Sequence, residues 1–234
     1  MFLVTDRFGS EEDRETSLKI GVYGGTFNPI HFGHLRTAEE IWYRFKLKNV
    51  IFVPSASPPH KDTDLIDPLH RLKMTTLAIT GNEHFCVSDI ELNRPGKSYT
   101  IETLRELKKR NPEAEFYFIM GRDAFLEIDS WYHWTELFAE TNFIVTTRPG
   151  SNKIPFSKLI PEKARKQFKR VRAEPGNECE FVHSSGKRLV FTSVTDIDIS
   201  STLIRDKVRR GETIRYLTPR RVREYIIENG LYQS

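Results

Sequence analysis

Hydrophobic and polar positions alternate between two periods along the chain. LKIGVY (18–23) is a short apolar, β-prone run. In LRTAEEIWYRF (35–45) the apolar residues Leu35, Ala38, Ile41, Trp42 and Phe45 recur at helical spacing. The exchange then repeats. NVIFVPS (49–55) predicts a strand and DPLHRLKMTTLAI (67–79) a helix, opened by a capping Asp67 with Pro68 at the first helical position. FCVSDIEL (85–92) predicts a strand, and SYTIETLRELKKR (98–110) a helix with its own polar start. EFYFIMG (115–121) predicts a strand, WYHWTELFAE (131–140) a helix, and NFIVTTRPG (142–150) a strand ending in a turn. Residues 151–187 are basic and irregular, with one helix expected near 161–172. KRLVFTSV (187–194) predicts a last strand. Two C-terminal helices follow, ISSTLIRDKVRRG closing on Gly211 and TPRRVREYIIENG closing on Gly230.

Strand and helix alternating at this spacing argue an α/β fold, a parallel sheet covered by helices on both faces. The 234 residues suffice for a full core. No repeats, low-complexity tracts or linkers divide the chain, so a single domain is expected over 18–234, behind a polar N-terminal extension at 1–17 to which no function attaches. No stretch approaches eighteen apolar residues, the length a membrane span needs. MFLVTDRFGSEEDRETS lacks the basic flank and long apolar run of a secretory signal. Cys86 and Cys179 are the only cysteines. They fit a reducing cytoplasm, the expected location, and exclude a cysteine-built zinc site.

The net charge of +4 is unevenly spread. Lys158 to Arg172 holds seven basic residues against one acidic, and Arg205 to Arg223 eight against two. Most of these read as solvated helix faces. The alternative is attraction of polyanions, either the phosphates of a small ligand or a nucleic acid.

The densest chemistry lies in GVYGGTFNPIHFGH (21–34). Ligands of open α/β sheets gather at the carboxyl ends of strands, and this is the first strand's turn. Gly24 and Gly25 let backbone approach a bulky anion, and the following helix offers N–H groups and a positive dipole end. The P-loop and the G-x-G-x-x-G fingerprint are both absent. His31 and His34, three apart, share one side of the first helical turn. They can be metal ligands, but zinc would want a third protein ligand and there is no H-E-x-x-H pattern. They can be capping or core residues. Or they can bind phosphate, which explains the glycines, the helix start and the spacing together; we take this reading. Near the other end, ISSTLIR sets Ser200 and Ser201 at a helix start, able to cap and to donate to phosphate, with Arg205 one turn on as a permanent cation. That pattern is weak alone and gains its value from the first.

GGTFNPIHFGH followed by ISSTLIR resembles the H-x-G-H nucleotidyltransferase superfamily. DIELNRPGKSYTIETL, FIMGRDAFLEIDSWYHWTELF and VPSASPPHK narrow the resemblance to the bacterial nicotinate-mononucleotide adenylyltransferases, from about Leu18 to Tyr232. It implies a Rossmann-like, doubly wound parallel sheet. It implies a reaction that joins ATP and nicotinate mononucleotide into nicotinate adenine dinucleotide and pyrophosphate, a step in NAD synthesis. By motif, His31 and His34 face the ATP phosphates; Gly24, Gly25, Thr26, Phe27 and Asn28 line the nucleotide; Gly121 and Asp123 hold adenosine; Ser200, Ser201 and Arg205 close over the triphosphate. Lys61, Ser98, Tyr99, Thr100, Trp131 and Tyr132 line the mononucleotide side. Asn28 stands where many members carry Asp, keeping the polar role without the charge.

The chemistry is reasonable unaided. A mononucleotide phosphate has its second pKa near 6 and is largely a dianion at neutral pH. It needs no strong base, only to be held in line with the α-phosphorus while charge is spread. Histidine donors, a helix N-terminus, Arg205 and a Mg2+ bridging the phosphates suit that task. No residues are assigned as protein ligands to the metal. Trp131, beside Ser130 as a helix cap, can stack on a flat ring, whereas Trp134 reads as core. Backbone N–H groups at Ser98–Thr100 suit a carboxylate and so favour nicotinate over nicotinamide. Two rivals remain: a superfamily member with another acceptor such as phosphopantetheine, and a non-catalytic nucleotide or nucleic-acid module using the basic C-terminal third. The expected partners are ATP and nicotinate mononucleotide, without membrane or nucleic acid. A homo-oligomer is left open.

Overall fold

The computed structural model describes residues 18–58, 64–147 and 155–233. The expected N-terminal extension at 1–17 lies outside them. From the first strand onward the chain alternates: β1 (Leu18–Gly25), α1 (Phe32–Phe45), β2 (Asn49–Pro54), α2 (Pro68–Ile79), β3 (Phe85–Val87), α3 (Thr100–Arg110) and β4 (Ala114–Gly121). Then come α4 (Arg122–Leu126), a 3-10 turn at Ile128–Ser130, α5 (Trp134–Glu140) and β5 (Asn142–Thr147). Two one-turn helices, α6 (Phe156–Leu159) and α7 (Glu162–Arg165), precede β6 (Phe168–Val171), β7 (Cys179–His183) and β8 (Arg188–Ser193). α8 (Ser201–Arg209) and α9 (Arg220–Glu228) complete the described fold, which is Rossmann-like.

The strands form one sheet in the order β3-β2-β1-β4-β5-β8-β7-β6. Pairing is parallel from β3 through β8 and antiparallel at β8–β7 and β7–β6, so the sheet is not wholly parallel as expected. Each central strand feeds two cores. On β4, Phe116, Phe118 and Met120 enter one hydrophobic cluster, and Tyr117 and Ile119 the other. On β2, Ile51 and Val53 face the first and Val50 and Phe52 the second. A strand covered on both sides has no polar face, which is why NVIFVP and EFYFIM read as continuous apolar runs. The first core is closed by α3, α4 and α5, the second by α1, α2, α8 and α9.

Three expectations need correction. The strand over 85–92 stops at Val87. Ser88 Oγ accepts from Ile90 N at 3.3 Å, and Leu92 N and Asn93 N close on Asp89 O, so SDIEL is a turn that buries Ile90. The helix near 161–172 is one turn of α7 and then a strand. Phe168 packs edge-on to Phe138, centroids 5.1 Å apart, while Lys169 and Arg170 stay exposed. Basic side chains on a sheet edge discourage further pairing. The helix expected from Trp131 starts at Trp134, and the Ser130 hydroxyl donates to Glu127 O at 2.6 Å rather than capping it.

Candidate active site

The carboxyl ends of β1, β4, β5 and β8 open onto one cavity of about 1050 Å3. β1 and β4 are neighbours, but α1 packs on one face of the sheet and α4 on the other. The cavity therefore sits where the winding reverses, the usual ligand position in open α/β sheets.

Gly24, Gly25, Thr26 and Phe27 line it at the end of β1. A Cβ on Gly25 would lie 2.9 Å from the Phe27 ring, so the bare glycine lets that ring fold back beneath the strand end. Phe27 is thereby buried and meets His34 edge-on at 5.2 Å. His31 is the N-cap of α1 and His34 its third residue, and both line the cavity. Their rings lie 3.7 Å apart, centroid to centroid. His34 Nδ1 accepts from His31 N at 3.3 Å. A backbone N–H can only donate, so the proton of a neutral His34 sits on Nε2. His31 is 6 % exposed and its Nδ1 is buried without a hydrogen-bond partner. Burial lowers its pKa to about 4, leaving a neutral ring at pH 7. Gly33 makes room for that ring, since a Cβ there would sit 3.0 Å from His31 Nδ1.

The start of α8 faces the same cavity. Ser200 caps it, accepting from Leu203 N at 3.1 Å, and Ser201 Oγ donates to Pro29 O at 2.8 Å. The second hydrogen bond ties α8 to the loop ahead of α1. Arg205 and Asn28 do not line the cavity. Arg205 Nε bonds Asp64 Oδ2 at 3.0 Å and its Nη1 bonds Asn28 O at 2.9 Å. Asn28 is buried, its Nδ2 donating to Asp64 O at 2.7 Å and its Oδ1 accepting from Tyr232 OH at 2.9 Å. Both side chains bind loops together behind the wall. Hydrogen bonds from Arg209 and then Arg205 hold the Asp64 carboxyl below its ordinary pKa.

Gly121 caps α4, with nothing within 4 Å of where its Cβ would stand, and Asp123 is in that helix's first turn; both line the cavity. At the other end are Ser98, Tyr99, Thr100, Trp131 and Tyr132. Ser98 Oγ accepts from Ala56 N and Ser57 N at 3.0 and 3.1 Å, joining the β2–α2 loop to the start of α3. The Tyr99 and Tyr132 rings lie 4.4 Å apart, and Trp131 stands edge-on to Phe118. Trp134 packs edge-on to Phe138 in the first core. Lys61 lies outside the described residues.

Several lining residues escaped the sequence reading. Thr146 and Thr147 end β5, and Asp196 follows β8. The rule that ligands gather at strand carboxyl ends applies to these as it does to the end of β1. Glu91 also lines the cavity, with Oε1 accepting from Thr103 Oγ1 at 2.7 Å and Oε2 buried without a hydrogen-bond partner. Behind the wall is Arg71, 0 % exposed, donating to the carbonyls of Thr26, Ala56 and Ile66 at 2.9 to 3.1 Å. No sequence signal marks it, since an arginine on an amphipathic helix reads as a surface residue. Much of the C-terminal basic excess is paired, Arg209 with Asp64 and Asp206, Arg210 with Glu212, and Arg220 with Glu224.

Among the described residues no three His, Cys, Asp or Glu side chains gather as a metal site, and no helix is long and apolar enough to cross a membrane.

Residues 22–207 match the model of the cytidylyltransferase-like family. A protein of Geobacter sulfurreducens, named a probable nicotinate-nucleotide adenylyltransferase, is 43 % identical over 216 residues, covering 92 % of this chain and 98 % of its own. A relative of the same name from Geotalea daltonii is 44 % identical over 220 residues, 93 % of this chain and 99 % of its own. Among solved structures, the nicotinic acid mononucleotide adenylyltransferase of Plasmodium falciparum complexed with NaAD superposes with a TM-score of 0.70 at 22 % identity, covering 92 % of this chain and 97 % of that one.

Proposed function

The chain belongs to the cytidylyltransferase-like family, within it to the nicotinate-nucleotide adenylyltransferases, and from that premise we propose that it transfers the adenylyl group of ATP to nicotinate mononucleotide. The products are nicotinate adenine dinucleotide and pyrophosphate, and the step belongs to NAD synthesis in the cytoplasm.

One observation carries the reading at the level of the site. Two elements suited to phosphate, the His31–His34 helix start and the Ser200–Ser201 helix start, meet on one cavity whose other end is aromatic. In the reaction, an oxygen of the mononucleotide phosphate forms a bond to the ATP α-phosphorus. The bond from that phosphorus to the oxygen bridging to the β-phosphate breaks, and pyrophosphate leaves with the electron pair. The nucleophile is already anionic at neutral pH, so no protein base is needed. The protein's part is alignment and charge stabilisation. His31 and His34 act as neutral hydrogen-bond donors, in keeping with the low pKa of His31 and the Nδ1 acceptor role of His34. The first turns of α1 and α8 add N–H groups and dipole ends. Mg2+ would be carried largely on the triphosphate, a common arrangement that needs at most one or two protein carboxylates. The α3 start at Tyr99–Thr100 receives the pyridine carboxylate, and Trp131 and Tyr132 offer faces to its ring.

The test is pyrophosphate release with ATP and Mg2+, run with nicotinate mononucleotide, nicotinamide mononucleotide and phosphopantetheine in parallel. Release with the first alone is expected. Equal release with the first two would discard the carboxylate role of Tyr99 and Thr100. Release with phosphopantetheine only would move the chain to another branch of the superfamily. No release with any would bring forward the nucleotide-sensor alternative.

A further inference from the structure

The loop from Val194 to Ser200 carries Thr195, Asp196, Ile197 and Ile199 on the cavity wall and leads into the cap of α8. Loops at strand ends need an anchor if they are to hold ligand groups to fractions of an ångström. At its start Val194 N bonds Thr147 O at 3.2 Å. At the next residue a side chain takes over. Thr195 N donates to both carboxylate oxygens of Glu40, at 3.3 and 3.1 Å. Glu40 lies in the middle of α1, the helix that begins with His31 and His34, and its side chain is 12 % exposed. Arg36 Nε grips Oε1 at 2.6 Å from one turn below. Arg44, one turn above, donates to Ser193 O at 2.8 Å and to Gly176 O at 3.2 Å. One face of α1 is thus fastened to the segment that ends β8 and opens the loop. Burial pushes the Glu40 carboxyl up, but the hydrogen bonds from Thr195 and Arg36 outweigh it and keep the group ionised. Glu40 does not line the cavity.

We infer that Glu40 is a positioning residue for ATP: by holding Thr195 N it sets the separation between the histidine end of α1 and the serine cap of α8. A rigid helix transmits that constraint, with His31 and Glu40 nine residues apart on it, roughly 13 Å along the axis. The inference rests on the proposed reaction for the identity of the ligand. It predicts an effect confined to the ATP side, because the elements that bear Tyr99, Thr100, Trp131 and Tyr132 make no hydrogen bond to Glu40 among those described.

The experiment compares Glu40→Asp, which keeps the charge but is one methylene short, with Glu40→Gln, which keeps the reach and an acceptor but loses the charge. Dissociation constants for Mg-ATP and for nicotinate mononucleotide are measured by calorimetry on both variants and on the wild type, with wild-type turnover run alongside. Glu40→Asp is expected to weaken ATP about tenfold and leave the mononucleotide within twofold, while Glu40→Gln stays within threefold for both. Three results overturn the inference: unchanged ATP affinity in Glu40→Asp, equal weakening of both ligands, or Glu40→Gln as damaged as Glu40→Asp. A wild type that binds ATP without turning over the mononucleotide retires the proposed reaction, and the ATP comparison still judges Glu40. A wild type that binds no ATP overturns both.

Discussion

The buried His31 makes the stability of the fold depend on pH in a calculable way. In the unfolded chain its imidazole titrates near 6.5; in the folded protein burial lowers that to about 4. Below pH 6.5 the unfolded state takes up a proton that the folded state refuses. Stability is therefore fully present above about pH 6.5 and is lost as pH falls toward 4. At pH 5 the unfolded imidazole is about 97 % protonated and the folded one about 10 %, and the linked loss between pH 7.5 and 5.0 is about 2 kcal/mol. For a chain of this size that is roughly 4–8 °C in Tm. The assay is urea denaturation at both pH values on the wild type and on His31→Gln, which cannot titrate. His183, whose pKa burial also lowers, is present in both proteins and cancels. The wild type should lose about 2 kcal/mol more than the variant on acidification. Parallel losses would show that His31 takes up its proton in the folded state as readily as in water. That would refute the neutral-donor role.

Gly33→Ala places a methyl 3.0 Å from His31 Nδ1 and must push the ring aside; turnover should fall at least tenfold. Its unfolding free energy from urea denaturation should stay within about 1 kcal/mol of wild type, because alanine's better helix propensity offsets the crowding. Arg71→Met leaves three buried carbonyls without a donor and should cost about 3–5 kcal/mol in urea denaturation, with Arg71→Lys in between. Asp64→Asn releases the guanidinium of Arg205 from its carboxylate. If Arg205 closes over the triphosphate, KM for ATP should fall two- to fivefold at low salt; a rise would assign Asp64 a supporting role instead. Stability should barely change, as exposed ion pairs contribute little.

What could be read in the sequence follows from where the energy is local. The central strands declare themselves because burial on both faces leaves them uniformly apolar, and α2 because Asp67 caps it directly, accepting from Leu69 N at 2.7 Å. The β6–β7 hairpin hides its pattern. It is an edge with exposed Lys169 and Arg170, and its inner strand buries a charged Glu180, which Arg188, Asn177 and the Glu174 N–H compensate. Buried acids of that kind cannot be told from surface ones until their partners are known. Motifs that concentrate chemistry in a few adjacent residues, such as His31–His34, were visible as candidates. The placement of Asn28 and Arg205 was not, because it is decided by Tyr232 and Asp64, far away in sequence. Arg71 and Glu40 act through the backbone of distant loops and leave no local trace at all.

The hydrogen bond from Tyr232 to Asn28 spans 204 positions of the chain. β5 likewise pairs on one side with β8, which begins some forty residues after β5 ends. On a ribosome adding about 5–20 residues per second, roughly 10–40 s separate the emergence of the first loop from that of the tyrosine that secures it. For about a fifth of that time the nascent sheet shows the bare edge of β5, with Phe143, Ile144 and Val145 waiting for a neighbour. The cavity is thus assembled late, when the C-terminal helices arrive. A ribosome that stalls inside the 148–187 segment would leave behind a chain that already holds Gly24, Gly25, His31 and His34 but has an open apolar edge, a substrate for chaperones rather than for ATP.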